Sequence, residues 1–264
     1  MMKIGVTQII FGDMSLDDTL ELCNAAGYEC VELTFRPGKD LNTDNSDEEI
    51  DAVREKCAAA DIHIGSVIAS CPEGGNLLSP DSAERDDRVK SLVRSLEIGG
   101  RLGADCTLLH PGQLAREGTY QQAWDNLVDA LKDVASVAAE HKVNIGIENV
   151  WNKFLLNPRE CNQIVEEIGS EWIGIYIDTA NMMFYGWEDM WIRELGANIK
   201  KVHFKDFSRK DKNFTPLMDG DTDWPVLMRE LRNIGYDDCV IHEVGGDRDV
   251  QIEMARRMKE IVAS

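Results

Sequence analysis

The sequence predicts a parallel α/β barrel, (β/α)8 in class, and three observations carry that prediction. Strand-like apolar runs begin near Lys3, Tyr28, Ile62, Asp105, Val143, Trp172, Ile199 and Cys239. Helical periodicity with recognisable caps fills the interval between each pair, with no linker or composition shift across the 264 residues, so one domain over 1–264 is expected. The last four runs each close on a titratable side chain, in the order Glu148, Asp178, His203 and Glu243. An open doubly wound sheet would gather ligands at one switch point, not from four successive strands. A barrel puts all four at its C-terminal mouth, where active sites of such folds lie.

Taken in order, the first strand follows Met1-Met2-Lys3 directly, with nothing there resembling a signal peptide. Gly27 falls where the first helix should stop, ahead of the strand near Tyr28. Ser46 and Glu49 form a capping-box pattern for the next helix. Ser79-Pro80 is expected to open another, which Gly103 ends. The strand Cys106-Thr107-Leu108-Leu109 runs into His110-Pro111-Gly112. Thr119 and Gln122 cap the following helix, and Asn157-Pro158-Arg159-Glu160 places a proline at the first helical position of the one after. Gly169, Gly196 and Gly235 are the remaining helix stops.

Alternation along the strands assigns faces. With Glu148 turned into the mouth, Gly146 lies inward beneath it, while Ile145 and Ile147 face the helices. Asp178 sits likewise above Tyr176 and Gly174, and His242, next to Glu243, points outward as a structural residue. His63 and His141 have no comparable context. His110 ends a strand at the mouth, and both a substrate contact and a loop-anchoring role remain open. The stretch 182–187 (Met-Met-Phe-Tyr-Gly-Trp) reads first as packing and second as an apolar pocket wall. Gly74-Gly75 is read as a turn. Gly245-Gly246, ahead of the last helix, offers amides to a phosphate or hydroxyl.

Composition excludes several classes. The net charge is −20, and no Lys/Arg run marks a basic face, so neither nucleic acid nor an anionic membrane is an expected partner. No apolar stretch approaches the roughly 20 residues of a membrane span. Seven scattered cysteines without a C-x-x-C read as small buried hydrophobes in a reducing cytoplasm. Neither G-x-G-x-x-G after the first strand nor a P-loop supports a nucleotide cofactor.

Three carboxylates and one imidazole suit a divalent cation. The residues around them resemble the sugar phosphate isomerase/epimerase family, with its xylose-isomerase-like barrel. The resemblance rests on Ile147-Glu148-Asn149-Val150-Trp151-Asn152-Lys153-Phe154, Ile177-Asp178-Thr179-Ala180-Asn181, Val202-His203-Phe204-Lys205-Asp206-Phe207 and the acidic loop from Asp219 to Trp224. It implies that Glu148, Asp178, His203 and Glu243 hold one divalent metal, commonly manganese, magnesium or cobalt. It also implies that Glu148 and Glu243 move protons through a metal-stabilised enediolate, with a ketose or ketose phosphate as substrate. By the same resemblance Arg209, six residues after His203, contacts substrate oxygen, and a homodimer would be in keeping with the family.

Two positions depart from the family's free-ketose epimerases. Asn181 stands where those enzymes tend to have histidine, and Leu155 where they have a substrate-binding glutamate after the Asn152-Lys153-Phe154 run. Asn181 can bond a hydroxyl but carries no proton, and Lys153 is a further substrate-side candidate. The departures point toward a phosphorylated or otherwise modified sugar, with Lys153, Lys205, Arg209, Lys210 and Lys212 as the strand-end cations. The competing expectations are a lyase of the inosose dehydratase type, a metal-dependent endonuclease and a non-catalytic sugar-binding barrel. The endonuclease is disfavoured by the charge and by only five histidines.

Overall fold

The computed structural model describes residues 2–69 and 75–264. Eight parallel strands close into a barrel: β1 (Ile4–Thr7), β2 (Cys30–Thr34), β3 (His63–Ile68), β4 (Cys106–Leu109), β5 (Asn144–Glu148), β6 (Ile173–Asp178), β7 (Ile199–Phe204) and, after a short antiparallel hairpin of β8 (Asp206–Ser208) and β9 (Asn213–Thr215), β10 (Val240–His242). Each neighbours the next in sequence around the ring, and β10 closes on β1 with Ile4 opposite Val240. Eight helices wrap the outside: α1 (Leu16–Ala26), α2 (Asp47–Ala59), α3 (Ser82–Leu102), α4 (Tyr120–His141), α5 (Pro158–Ile168), α6 (Glu188–Leu195), α7 (Trp224–Asn233) and α8 (Arg248–Ala263). The expected fold class is the observed one.

Local chemistry explains most boundaries. Ser46 and Glu49 exchange side-chain and backbone bonds in a full capping box on α2. Thr119 accepts the Gln122 N–H at α4, and Asn157 accepts that of Glu160 ahead of Pro158 at α5. Gly27 and Gly103 close α1 and α3 in the left-handed conformation, at φ 79° and 75°, which glycine adopts without a Cβ clash. The expected opening at Ser79-Pro80 is corrected. Helix α3 begins at Ser82 with Asp81 as its cap, whose carboxylate accepts the Ala83 N–H. Ser79 instead accepts the Asp81 N–H in the turn before it, because the aspartate is the stronger acceptor within reach of the free helical amides.

The two faces of the strands separate as alternation requires. Ile145, Ile147, Ile173, Ile175, Ile177, Val202 and Val240 join the large apolar core shared with the helices. Tyr176 instead packs with Ile68, Cys106 and Leu108 inside the barrel. A Cβ on Gly146 would meet Tyr176 Cβ at 2.8 Å and Cys106 Sγ at 3.2 Å, so this inward position beneath Glu148 admits only glycine. His242 faces the helix layer, where its Nδ1 accepts the Val244 N–H and its Nε2 bonds Tyr28 Oη at 2.6 Å. Tyr28 in turn donates to the Gln251 carbonyl of α8.

Six cysteines are buried and unpaired, and Cys71 lies outside the described residues. So does Gly74, leaving Gly75 at φ 93°. Among the described residues, no helix is long and apolar enough to cross a membrane.

Candidate active site

The mouth of the barrel is built from the ends of β5, β6, β7 and β10. Donor atoms of Glu148, Asp178 and His203 lie within 4.8 Å of one another. Asp178 is fully buried and is held from two directions. Its Oδ1 accepts the N–H groups of Ala180 and Asn181, both at 2.8 Å. The Asn149 side chain meanwhile accepts the Asp178 N–H and donates to its carbonyl, extending the strand register past the end of the sheet. The other oxygen, Oδ2, is buried with no hydrogen-bond partner, as is Nδ1 of His203. A buried carboxylate oxygen and a buried ring nitrogen left without partners are costly, and a cation bound to both would remove that cost.

Glu243, the fourth expected ligand, is not in that group and is linked to it through Lys205. The ammonium donates to Glu243 Oε2 at 2.7 Å and stands 3.6 Å from Asp178 Oδ2, with the Phe214 ring 4.2 Å from it. A positive group is thus already held between two of the expected ligands, and the donor set fits a divalent cation.

The electrostatics follow from crowding acids in a dry place. Withdrawal from water pushes the Glu148 carboxyl up to about 8, with the charges of Asp178 and Glu243 adding to the rise. Burial raises Asp178 as well. Burial alone would lower His203, but the charge and hydrogen bond of Glu32 overcome it and carry the imidazole up to about 9. Lys205 rises for the same kind of reason, the charges of Asp178 and Glu243 outweighing its burial.

The other expected substrate contacts are dispersed or engaged. Arg209 donates to the carbonyls of Met183 at 2.6 Å and Gly186 at 2.9 Å, lies 3.3 Å from Glu188, and stacks over Trp187 at 4.2 Å. Its fork grips the loop before α6, leaving the buried Nε without a partner. Asn181 donates its amide to the Asn149 carbonyl. His110 is half-buried, lowered by burial and by Arg88, and accepts the Gly112 N–H on Nδ1, an anchoring bond for its own loop. Lys153 is exposed in a left-handed turn at φ 66°. The stretch 182–187 divides: Met182 and Met183 are buried, while Phe184, Tyr185 and Trp187 are exposed at the rim, and Phe184 packs against Trp151. Past Gly245-Gly246, Asp247 caps α8 with its own carboxylate on the Val250 N–H, which opposes an anion there.

Two residues of the site were not singled out by sequence reasoning. Lys205 was grouped with the strand-end cations, and Glu32 was passed over. Glu32 is fully buried in β2, accepting from Tyr176 Oη at 2.7 Å and from His203 Nε2 at 3.0 Å. Its signal was available as a lone acid in the wholly buried run Cys-Val-Glu-Leu-Thr of 30–34. A second group, His63, Asp105 and Cys239, gathers near the opposite end of the barrel. There the buried Lys201 ammonium pairs with Asp105 and Asp238, so a fixed cation is already present.

A closed parallel α/β barrel, with a group of side chains at its C-terminal mouth that could hold a metal ion, defines the class of this fold. The chain belongs to the xylose isomerase-like TIM barrel family, whose pattern matches residues 20–261. It is 22% identical over 270 residues to an uncharacterized protein, MJ1311, of Methanocaldococcus jannaschii, covering 99% of this chain and 88% of that one. It is 24% identical over 145 residues to an inosose dehydratase of Geobacillus thermodenitrificans, covering 48% and 49%. The fold superposes on a D-tagatose 3-epimerase-like protein with a TM-score of 0.85 at 20% identity, over 99% and 97% of the two chains.

Proposed function

We propose that this single barrel is a divalent-metal-dependent epimerase or isomerase of a ketose or ketose phosphate, working in the cytoplasm. The observation that carries the reading is a pair of buried polar atoms without hydrogen bonds, Asp178 Oδ2 and His203 Nδ1, on two residues grouped with Glu148. Glu148, Asp178, His203 and Glu243 would hold the ion, with manganese the favoured metal and magnesium or cobalt as alternatives. When bound, such a cation polarises a carbonyl and steadies negative charge on the substrate.

The remaining chemistry belongs to the chain. Glu148 and Glu243 accept and return the proton at the carbon next to the carbonyl. Burial and the neighbouring acids raise Glu148, and a bound cation would oppose that rise and keep the carboxylate able to accept a proton. Lys205, bonded to Glu243, fixes the orientation of that carboxylate. Trp151 and Phe184 form an apolar wall at the rim. Arg209 would act indirectly, by holding the 183–188 loop in place, and Asn181, His110 and Lys153 would be further contacts only if a substrate drew them from the arrangements described above.

A lyase of the inosose dehydratase type is the second reading, favoured by the partial match to such an enzyme and by Lys205, an ammonium placed among the carboxylates. Both readings begin with proton removal beside a carbonyl. A screen of ketoses, ketose phosphates and inososes with manganese, followed by mass spectrometry in deuterated water, separates them. Deuterium gain at unchanged composition supports the epimerase, and a product lighter by one water supports the lyase. Absence of exchange with every sugar tested would reject both.

A further inference from the structure

We propose that Glu32 positions His203 as a metal donor: held by Tyr176, its carboxylate keeps the proton of the imidazole on Nε2, so that Nδ1 presents its lone pair to the mouth. The proposal rests on the metal-centre reading above. Glu32 lies in β2, across the barrel from His203 in β7, and both side chains are buried. A carboxylate can only accept, so the 3.0 Å contact from Nε2 to Glu32 Oε1 requires an N–H on that nitrogen. In the neutral ring that a cation requires, the acceptor is then Nδ1, the atom left buried without a hydrogen bond, on a histidine grouped with Asp178 and Glu148.

The second oxygen of Glu32 is not free to drift, because Tyr176 Oη donates to it at 2.7 Å. The Tyr176 ring also lies against the imidazole, with centroids 4.6 Å apart and planes at 60°. One tyrosine thus fixes the acid, while the acid and the tyrosine ring together fix the tilt of the histidine.

Backbone irregularities fall at the same two residues. The β2–β3 register shifts between Val31 and Glu32, and the β6–β7 register shifts between Ile175 and Tyr176. Such bulges re-aim side chains beside functional sites. An ion pair serving stability alone would gain little at this depth, where desolvation opposes the Coulomb attraction, and it would leave the orphaned Nδ1 unexplained. A carboxylate behind a ligating imidazole instead sets its tautomer and strengthens it as a donor.

The test uses the full chain, stripped with chelator and titrated with Mn2+ and Co2+ alone by calorimetry, with the Co2+ visible absorption recorded in parallel. Glu32→Gln, matched in size, is expected to weaken binding of both ions about 10–100-fold and to alter the cobalt band, with the far-ultraviolet circular dichroism unchanged. Tyr176→Phe, which keeps the ring and releases one oxygen, should move both readouts the same way by less. Wild-type affinity and cobalt spectrum in Glu32→Gln would overturn the proposal. Should that variant fail to fold, the same null result in a folded Tyr176→Phe overturns it. A wild-type chain that binds neither ion would remove the metal reading, and this proposal with it.

Discussion

Glu148→Gln keeps one oxygen for a cation but no longer accepts a proton, and the same holds for Glu243→Gln. Each is expected to lower turnover by roughly 10²–10⁴-fold, the usual worth of a general acid or base. Steady-state rates on whichever sugar exchanges deuterium check this, and near-wild-type turnover in either variant would mean that the carboxylate only holds metal. His242 shows the opposite use of a titratable side chain. Burial in the helix layer, with the nearby His203 charge adding to it, lowers it to about 3, so it folds neutral. Above pH 6.5 neither folded nor unfolded chain protonates it. As pH falls from about 6.5 toward 3, the unfolded chain takes a proton that the folded one refuses, and stability drops by up to about 1.4 kcal/mol per pH unit. Thermal melts between pH 7 and 4.5 should therefore fall more steeply for wild type than for His242→Gln. Parallel slopes would contradict the assignment.

Among the loops, the segment after β7 depends on one acid. Buried Asp206 accepts the N–H groups of Met218, Gly220 and Thr222, the Thr222 hydroxyl and the Trp224 indole. Gly220 packs so closely that a Cβ there would meet Asp206 Oδ1. Asp206→Ala strands several buried donors at once, and a loss on the order of 3 kcal/mol is expected. Limited proteolysis should then cut within 209–223 before the barrel unfolds, and an unchanged cleavage pattern would refute the role. Arg209→Ala should likewise impair turnover of any sugar, phosphorylated or not, since its removal frees the Met183 and Gly186 carbonyls and loosens the rim. The acidic loop was recognisable in the sequence as a motif. Its dependence on Asp206 was not, because bonds spanning 12 to 18 residues leave no periodic trace.

For the molecule as a whole, the barrel was legible because each strand is a short apolar run, the caps fall at fixed offsets, and side-chain alternation assigns faces without any knowledge of partners. The four strand-end residues were legible for the same reason: a charge closing a buried strand contradicts its surroundings. Glu32 escaped because its meaning lies in a contact 171 residues away, and Lys205 because direction of approach, not position, brings its ammonium onto Glu243. Closing the ring therefore does more than bring side chains to one mouth. It concentrates three carboxylates whose repulsion the isolated chain never experiences, and a bound cation would relieve that strain only in the folded state. Binding to the native state alone stabilises it by RT ln(1 + [L]/Kd), about 2.7 kcal/mol at a hundredfold excess over Kd. For a chain of this size that corresponds to a rise in Tm of roughly 5–10 °C. Scanning calorimetry with manganese against chelator should show this shift in wild type and a smaller one in Glu148→Gln, which lacks one anionic donor. Equal melting temperatures with and without metal, at concentrations up to millimolar, would contradict a metal centre at the mouth of this barrel.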